Sequence, residues 1–157
     1  MLSEEKQNII GRLQSALNEL YSHDKSLMLQ ETHERTICAT LACYLKKYFR
    51  TYNIDCEYNR NMGYKKACGE YYETYPDILI HKRLSNNANL VFIETKTERN
   101  RTPENEEQDK NKIKCFMKNA PYNYPFWAFI VFWKNSYTLT VYYKWEEDIE
   151  EIKIPSD

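Results

Sequence analysis

Two carboxylates and a lysine recur at close spacing in the middle of this chain. Asp77 follows Tyr75-Pro76 and precedes Ile78-Leu79-Ile80, and Glu94 and Lys96 lie in Ile93-Glu94-Thr95-Lys96. If residues 77–82 and 89–96 are strands paired antiparallel about a turn near Ser85-Asn86, the register sets His81 across from Leu90, Leu79 from Phe92 and Asp77 from Glu94. Side chains alternate between the faces of a strand, so Glu94 and Lys96 then share a face with Asp77. A slip of one residue would break that geometry. Two carboxylates directly opposite each other destabilise a sheet. A hard divalent cation between them removes the penalty, because Mg²⁺ accepts one or two carboxylates together with water and phosphate oxygens. A lysine beside such a cation stabilises charge developing on a phosphate or orients an attacking water, and a bound metal lowers the pKa of its water. These parts suit phosphodiester hydrolysis. Glu-x-Lys by itself is common, and the bland alternative is an acid–lysine cluster on a surface strand.

Glu34 falls on the apolar stripe of a helix, in line with Ile37, Cys38, Leu41 and Leu45. An acid facing the core is costly unless it is paired or metal-bound. Alone it would be read as a first-turn acid favoured by the helix dipole; beside Asp77 and Glu94 it reads as a third metal ligand. Gln108, Lys112 and Cys115 follow helical spacing further on, where Gln108 and Lys112 could reach a phosphate or the attacking water. Arg60, His81, Lys82 and Arg83, with Lys65 and Lys66, are candidates for contact with a nucleic-acid backbone. Tyr64, Tyr71, Tyr72 and Tyr75 could stack on bases, although packing and sheet propensity explain tyrosines there as well. His33 and His81 have no i, i+4 partner, which argues against zinc.

The elements that must position these residues can be read from periodicity. Ile9, Ile10, Leu13, Leu17 and Leu20 mark an amphipathic helix that begins after Ser3-Glu4-Glu5 and runs to about Tyr21. A second helix spans about 30–50. Strands are expected at 54–58, 77–82, 89–96, 127–133 and 137–144, with a polar, Tyr-rich stretch at 59–74. Residues 99–107 read as a charged loop containing Pro103, leading into a helix over about 106–119. The expected fold is α/β or mixed α+β, a central mixed sheet of about five strands flanked by helices. No repeat or linker divides the 157 residues, so one domain is expected, with 1–29 as a helical extension and 30–145 as the core.

Composition limits the function classes. The apolar share of 42% suits a packed domain, and no run approaches a membrane span. The N-terminus lacks the layout of a signal peptide, so a cytoplasmic protein is expected. Five cysteines without a Cys-x-x-Cys pair suggest neither a zinc site nor a disulfide framework. Net charge is −1, which excludes binding of nucleic acid through bulk charge. The charge is uneven, however: residues 60–118 hold twelve Lys/Arg against nine Asp/Glu, whereas 144–157 hold two against six, which fits nucleic acid only weakly, since a charge run is more often a solvated face.

Taken together, Glu34, Pro76-Asp77, Glu94-Thr95-Lys96 and the Gln108/Lys112 helix resemble the PD-(D/E)xK nuclease superfamily. More narrowly, His33-Glu34-Arg35, Asp55-Cys56-Glu57-Tyr58-Asn59-Arg60, the segment from Asp77 to Arg83, and Ile93-Glu94-Thr95-Lys96 resemble a bacterial and phage branch of it. The resemblance covers about residues 30–133. It implies a restriction-endonuclease-like core, with Asp77 and Glu94 as metal ligands, Lys96 as the catalytic lysine and Glu34 as the additional acid. It also implies that Glu57 and Arg60 lie near the site. The expectation is an Mg²⁺- or Mn²⁺-dependent endonuclease acting on nucleic acid, DNA favoured, in DNA processing or bacteria–phage defence. A homodimer would suit cleavage of both strands of a duplex. Members of the superfamily that have lost catalysis set the alternative: a module that binds nucleic acid or a partner protein without cleaving.

Overall fold

Ser3 accepts a hydrogen bond from the Lys6 amide and caps the first helix, α1 (Glu4–His23), whose first turn carries Glu4 and Glu5. Its buried stripe is Ile9, Ile10, Leu13, Ala16, Leu17 and Leu20. The structure is a computed structural model and describes residues 3–58, 68, 76–85, 87–118, 123–145 and 148–156. A single turn, α2 (Ser26–Leu29), leads to α3 (Glu34–Tyr48), which buries Ile37, Cys38, Leu41, Ala42 and Leu45. The last helix, α4 (Pro103–Lys118), starts three residues earlier than the charge pattern suggests. Pro103 stands at the head of the helix, where a missing N–H costs nothing.

The strands are β1 (Asn53–Cys56), β2 (Ile78–His81), β3 (Val91–Thr97), β4 (Phe126–Phe132), β5 (Tyr137–Trp145) and β6 (Asp148–Pro155). They form one open mixed sheet in chain order. Every neighbouring pair is antiparallel except β3 and β4, which are parallel and joined through α4. A parallel pair needs such a crossover. α1 and α3 cover one face, packing on Ile78, Ile80, Val91, Ile93, Ala128, Ile130 and Val141. On the other face α4 places Ile113, Phe116 and Met117 against Leu79, Phe92, Trp127 and Phe129. Strands β2, β3 and β4 are thus apolar on both sides, as buried central strands must be.

Three expectations require correction. The sheet has six strands rather than about five, because residues 148–155 form β6 along the full length of β5. Ile149 packs toward the α4 side and Ile152 and Ile154 toward the α1 side, so neither face of β6 shows a long apolar stripe. Its acids suit an edge strand, where charge discourages further pairing. Second, Cys68 and Cys115 are joined in a disulfide, leaving Cys38, Cys43 and Cys56 free. The two partners are separated by 47 residues and carry no spacing signature. Third, of the expected loop at 99–107, residues 103–107 already belong to α4, residues 98–100 form a 3-10 turn, and 101–102 connect the two. Among the described residues no helix is long and apolar enough to cross a membrane.

Candidate active site

The site is assembled where β2 and β3 part. Pairing between them runs from Ile80↔Val91 through Leu79↔Phe92 to Ile78↔Ile93 and stops there. This is the register expected from the sequence, and continuing it one step sets Asp77 across from Glu94. Beyond Ile93, β3 remains paired with β4 as far as Thr97 but has no β2 residue on its other edge. Two carboxylates fill that gap. Asp77 Oδ2 accepts from the Thr95 amide at 2.7 Å and from the Thr95 hydroxyl at 3.1 Å. Glu34 Oε2, from the first turn of α3, accepts from the Thr97 amide at 3.0 Å. Side chains thus satisfy backbone groups that a strand would otherwise take, and buried amides need such partners.

Glu94 and Lys96 lie between these two acids along the sheet edge and point toward α4. Lys112 Nζ is 2.7 Å from Glu94 Oε1, and Lys96 Nζ is 2.9 Å from Asp109 Oδ2. Lys112 also lies 3.7 Å from Asp109 Oδ1, one helical turn earlier. Glu34, Asp77, Glu94 and Asp109 therefore face two ammonium groups, an excess of two negative charges when all four are ionised.

That excess is expressed in the proton affinities. Burial pushes the Glu94 carboxyl well above its ordinary range; Lys112 opposes this, while Asp77 and Asp109 add to it. Burial also raises Asp77, against the Thr95 hydrogen bonds and the charges of Lys112 and Lys96. Glu34 is raised by burial and by the charge of Asp77. Burial pulls Lys96 down, but the hydrogen bond and charge of Asp109, with Glu34 and Asp77, outweigh it and leave Lys96 above its usual value. Three carboxyls that hold protons more tightly than usual beside a firmly charged lysine make a site that a further cation would relieve.

The other expected site residues are dispersed. Lys112 is in the cluster, whereas Gln108, one turn before it, is exposed. Asp109, absent from the residues singled out by sequence, takes the inner position at 8% exposure. The signal that could have found it is the i, i+3 step to Lys112, which puts both on one side of the helix. His81, Lys82 and Arg83 lie at the opposite end of β2 from Asp77. His81 is buried with Nε2 2.8 Å from Asp55 Oδ2, and Arg83 forks onto the same carboxylate. Lys82 Nζ sits 5.6 Å from the Tyr52 ring centre. This group fastens β1 to β2. Arg60, Lys65, Lys66, Tyr64, Tyr71, Tyr72 and Tyr75 lie outside the described residues. Glu57 is near the site: it pairs with Arg35 at 2.9 Å, and both line a hollow with Glu34, Cys38, Cys56 and Asp77. Glu57 has φ of 52°, in the left-handed region that non-glycine residues seldom adopt.

The donor set suits a hard divalent cation, being all carboxylate. The spacing is less complete: among the described residues no three carboxylate, imidazole or thiol groups converge as metal ligands. Lys112 holds Glu94, and amides hold one oxygen each of Asp77 and Glu34. Comparison with protein-family models, with curated proteins and with solved structures finds no match to this chain.

Proposed function

We propose that this protein is a divalent-metal-dependent phosphodiesterase of the restriction-endonuclease-like kind, cleaving nucleic acid, DNA in the first place. The observation that carries the reading is the junction of β2, β3 and α3. There Asp77, Glu94, Glu34 and Lys96, partly or fully buried, lie close enough to act on one another's charge, with acids in excess. The parallel β3–β4 pair with α4 as its crossover, and helices on both faces, supports the fold assignment. Asp77, Glu94 and Glu34 would hold Mg²⁺ or Mn²⁺, which supplies an acidified water and a Lewis acid. The chain's own contributions are distinct. Lys96 presents a fixed positive charge to the phosphate and its negative transition state. Asp109 keeps Lys96 protonated and aimed. Lys112, one helical turn from Asp109, adds a second charge that can pass from Glu94 to a bound phosphate.

A second reading is favoured by one specific observation. The acids already have lysines or backbone amides as neighbours, and among the described residues no three-ligand group is closed. On that reading the cluster is a structural ion network, and the protein binds nucleic acid or another protein without cleaving. Incubation with single- and double-stranded DNA and RNA in Mg²⁺, beside Lys96→Ala and Asp77→Ala, separates the two. The nuclease reading expects cleavage by the native chain and losses of at least about a hundredfold in both variants. It fails if no substrate is cut and no divalent ion binds.

A further inference from the structure

Strand β6 ends one side of the sheet, and among the described residues no strand pairs with its outer edge. We infer that this edge is a self-association surface, on which β6 of a second copy of this chain adds antiparallel about a twofold axis at Ile152. The dimer is independent of the nuclease reading above and follows from backbone direction and charge.

The Ser156 amide donates to the Tyr137 carbonyl at 3.0 Å, so at this position the backbone faces β5. Lys144, across from Ile149, donates instead to the Pro125 carbonyl on its other side, so Ile149 turns away from β5. Backbone groups of an antiparallel strand alternate in direction, and the two observations agree on one pattern. The amides of Glu150, Ile152 and Ile154 face β5, and those of Ile149, Glu151 and Lys153 point outward. Pro155, across from Thr138, falls in the outward set, where its missing N–H takes nothing from the β5 ladder. An outward row of backbone groups is a template for a further strand.

Side chains select the register. Ile152 and Ile154 pack toward α1, and Glu150 pairs with Lys6 of that helix. Ile149 packs toward α4, and Glu151 and Lys153, both exposed, alternate onto the same side. A twofold axis perpendicular to the sheet preserves its faces, so each residue meets one of its own face. Centring the pair on Glu150, Glu151 or Lys153 sets that charge against its own copy, which is destabilising. Centring it on Ile152 sets Glu151 against Lys153 of the second copy, and Lys153 against its Glu151. Ile152 then meets itself in a non-hydrogen-bonded pair, where Cα atoms approach to about 4.5 Å and side chains lie closest. In this register Glu151 and Lys153 also exchange amide–carbonyl bonds across the axis, and the Ile149 amide reaches the Pro155 carbonyl. The charges of β6 thus disfavour its other registers and favour this one. One strand pair is a small contact of the transient class, so association is reversible and depends on concentration.

The test is sedimentation velocity over a concentration series on the native chain, Glu151→Lys, Lys153→Glu and the double variant that exchanges the two charges. Thermal melting confirms that each variant is folded. The native chain is expected to pass reversibly from monomer to dimer. Each single variant brings like charges together twice and should weaken the dimer about tenfold or more, and the double variant should restore it. Amide hydrogen exchange on the native chain reads the register without any substitution: Ile149, Glu151 and Lys153 should gain protection as the dimer forms. A native chain that stays monomeric, single variants that associate as the native chain does, a double variant as weak as the singles, or outward amides that gain no protection would each overturn the inference.

Discussion

Glu94 is 2% exposed and shares its surroundings with Asp77 and Asp109, so the native state keeps charge where water has been removed. Its folded pKa lies above its unfolded value of about 4.3. A carboxyl raised in this way costs stability above the unfolded pKa, and the cost disappears as pH falls from the folded value to the unfolded one. The native chain should therefore gain stability on acidification from neutrality toward about pH 4.3, and Glu94→Gln should show less of that gain. At neutral pH, Glu94→Gln should have a higher Tm than the native chain, because Lys112 keeps Asp109 as partner. The same variant should lose cleavage. A Tm that falls, measured across that pH range, would show that the Glu94–Lys112 pair stabilises the fold. Asp55 behaves oppositely. Hydrogen bonds from Arg83, then from His81, hold its pKa below the ordinary value despite burial. Its contribution is present above the unfolded pKa of about 3.9 and is lost as pH falls through the lower folded value. Asp55→Asn should therefore cost about 1.5–3 kcal/mol at neutral pH, and denaturant melts should show that deficit shrinking below about pH 4.

At the scale of elements, α4 decides whether Lys96 is charged and aimed. Removing the Asp109 carboxylate leaves burial acting on Lys96 with less opposition. Asp109→Asn should move the basic limb of the pH–rate profile to lower pH and reduce kcat more than KM; an unmoved limb would show that Lys96 does not depend on Asp109. How far the elements are legible in the sequence depends on what holds each in place. The Asp77–Glu94 pairing is accessible because Ile78-Leu79-Ile80 and Val91-Phe92-Ile93 are short, strongly apolar and joined by a turn, which leaves one register that buries both. Glu34 is accessible because it interrupts a helical stripe. Asp109 is not, since it sits in the run Glu104 to Lys112, where every residue is polar and only the packing of Ile113 and Phe116 decides which side faces inward. β6 is hidden because its isoleucines are shared between two faces and its acids imitate a solvated tail. The Cys68–Cys115 bond depends on tertiary approach over 47 residues, which no local pattern encodes.

On the scale of the whole molecule, two helical layers clamp a sheet, and the site opens where that sheet splits. The disulfide ties Cys68 to α4, three residues beyond Lys112. Thiol titration of the denatured, unreduced chain should find Cys38, Cys43 and Cys56 reactive and the other two silent. Cys115→Ser should cost about 2–4 kcal/mol; five reactive thiols would show that this tie does not form. On the nuclease reading, metal binding would have to rearrange these acids, because among the described residues no three of them form a ligand group. Four acids are brought together by separate elements and are held apart from one another by Lys96, Lys112 and two backbone amides.

The central claim is tested most directly by a crystal of the native chain soaked in Mn²⁺ and measured for anomalous scattering. One ion is expected on oxygens of both Asp77 and Glu94, with Lys112 displaced from Glu94, and no ion in Glu94→Gln. Crystals that take up no Mn²⁺ at this point, with Lys112 still paired to Glu94, would contradict the claim.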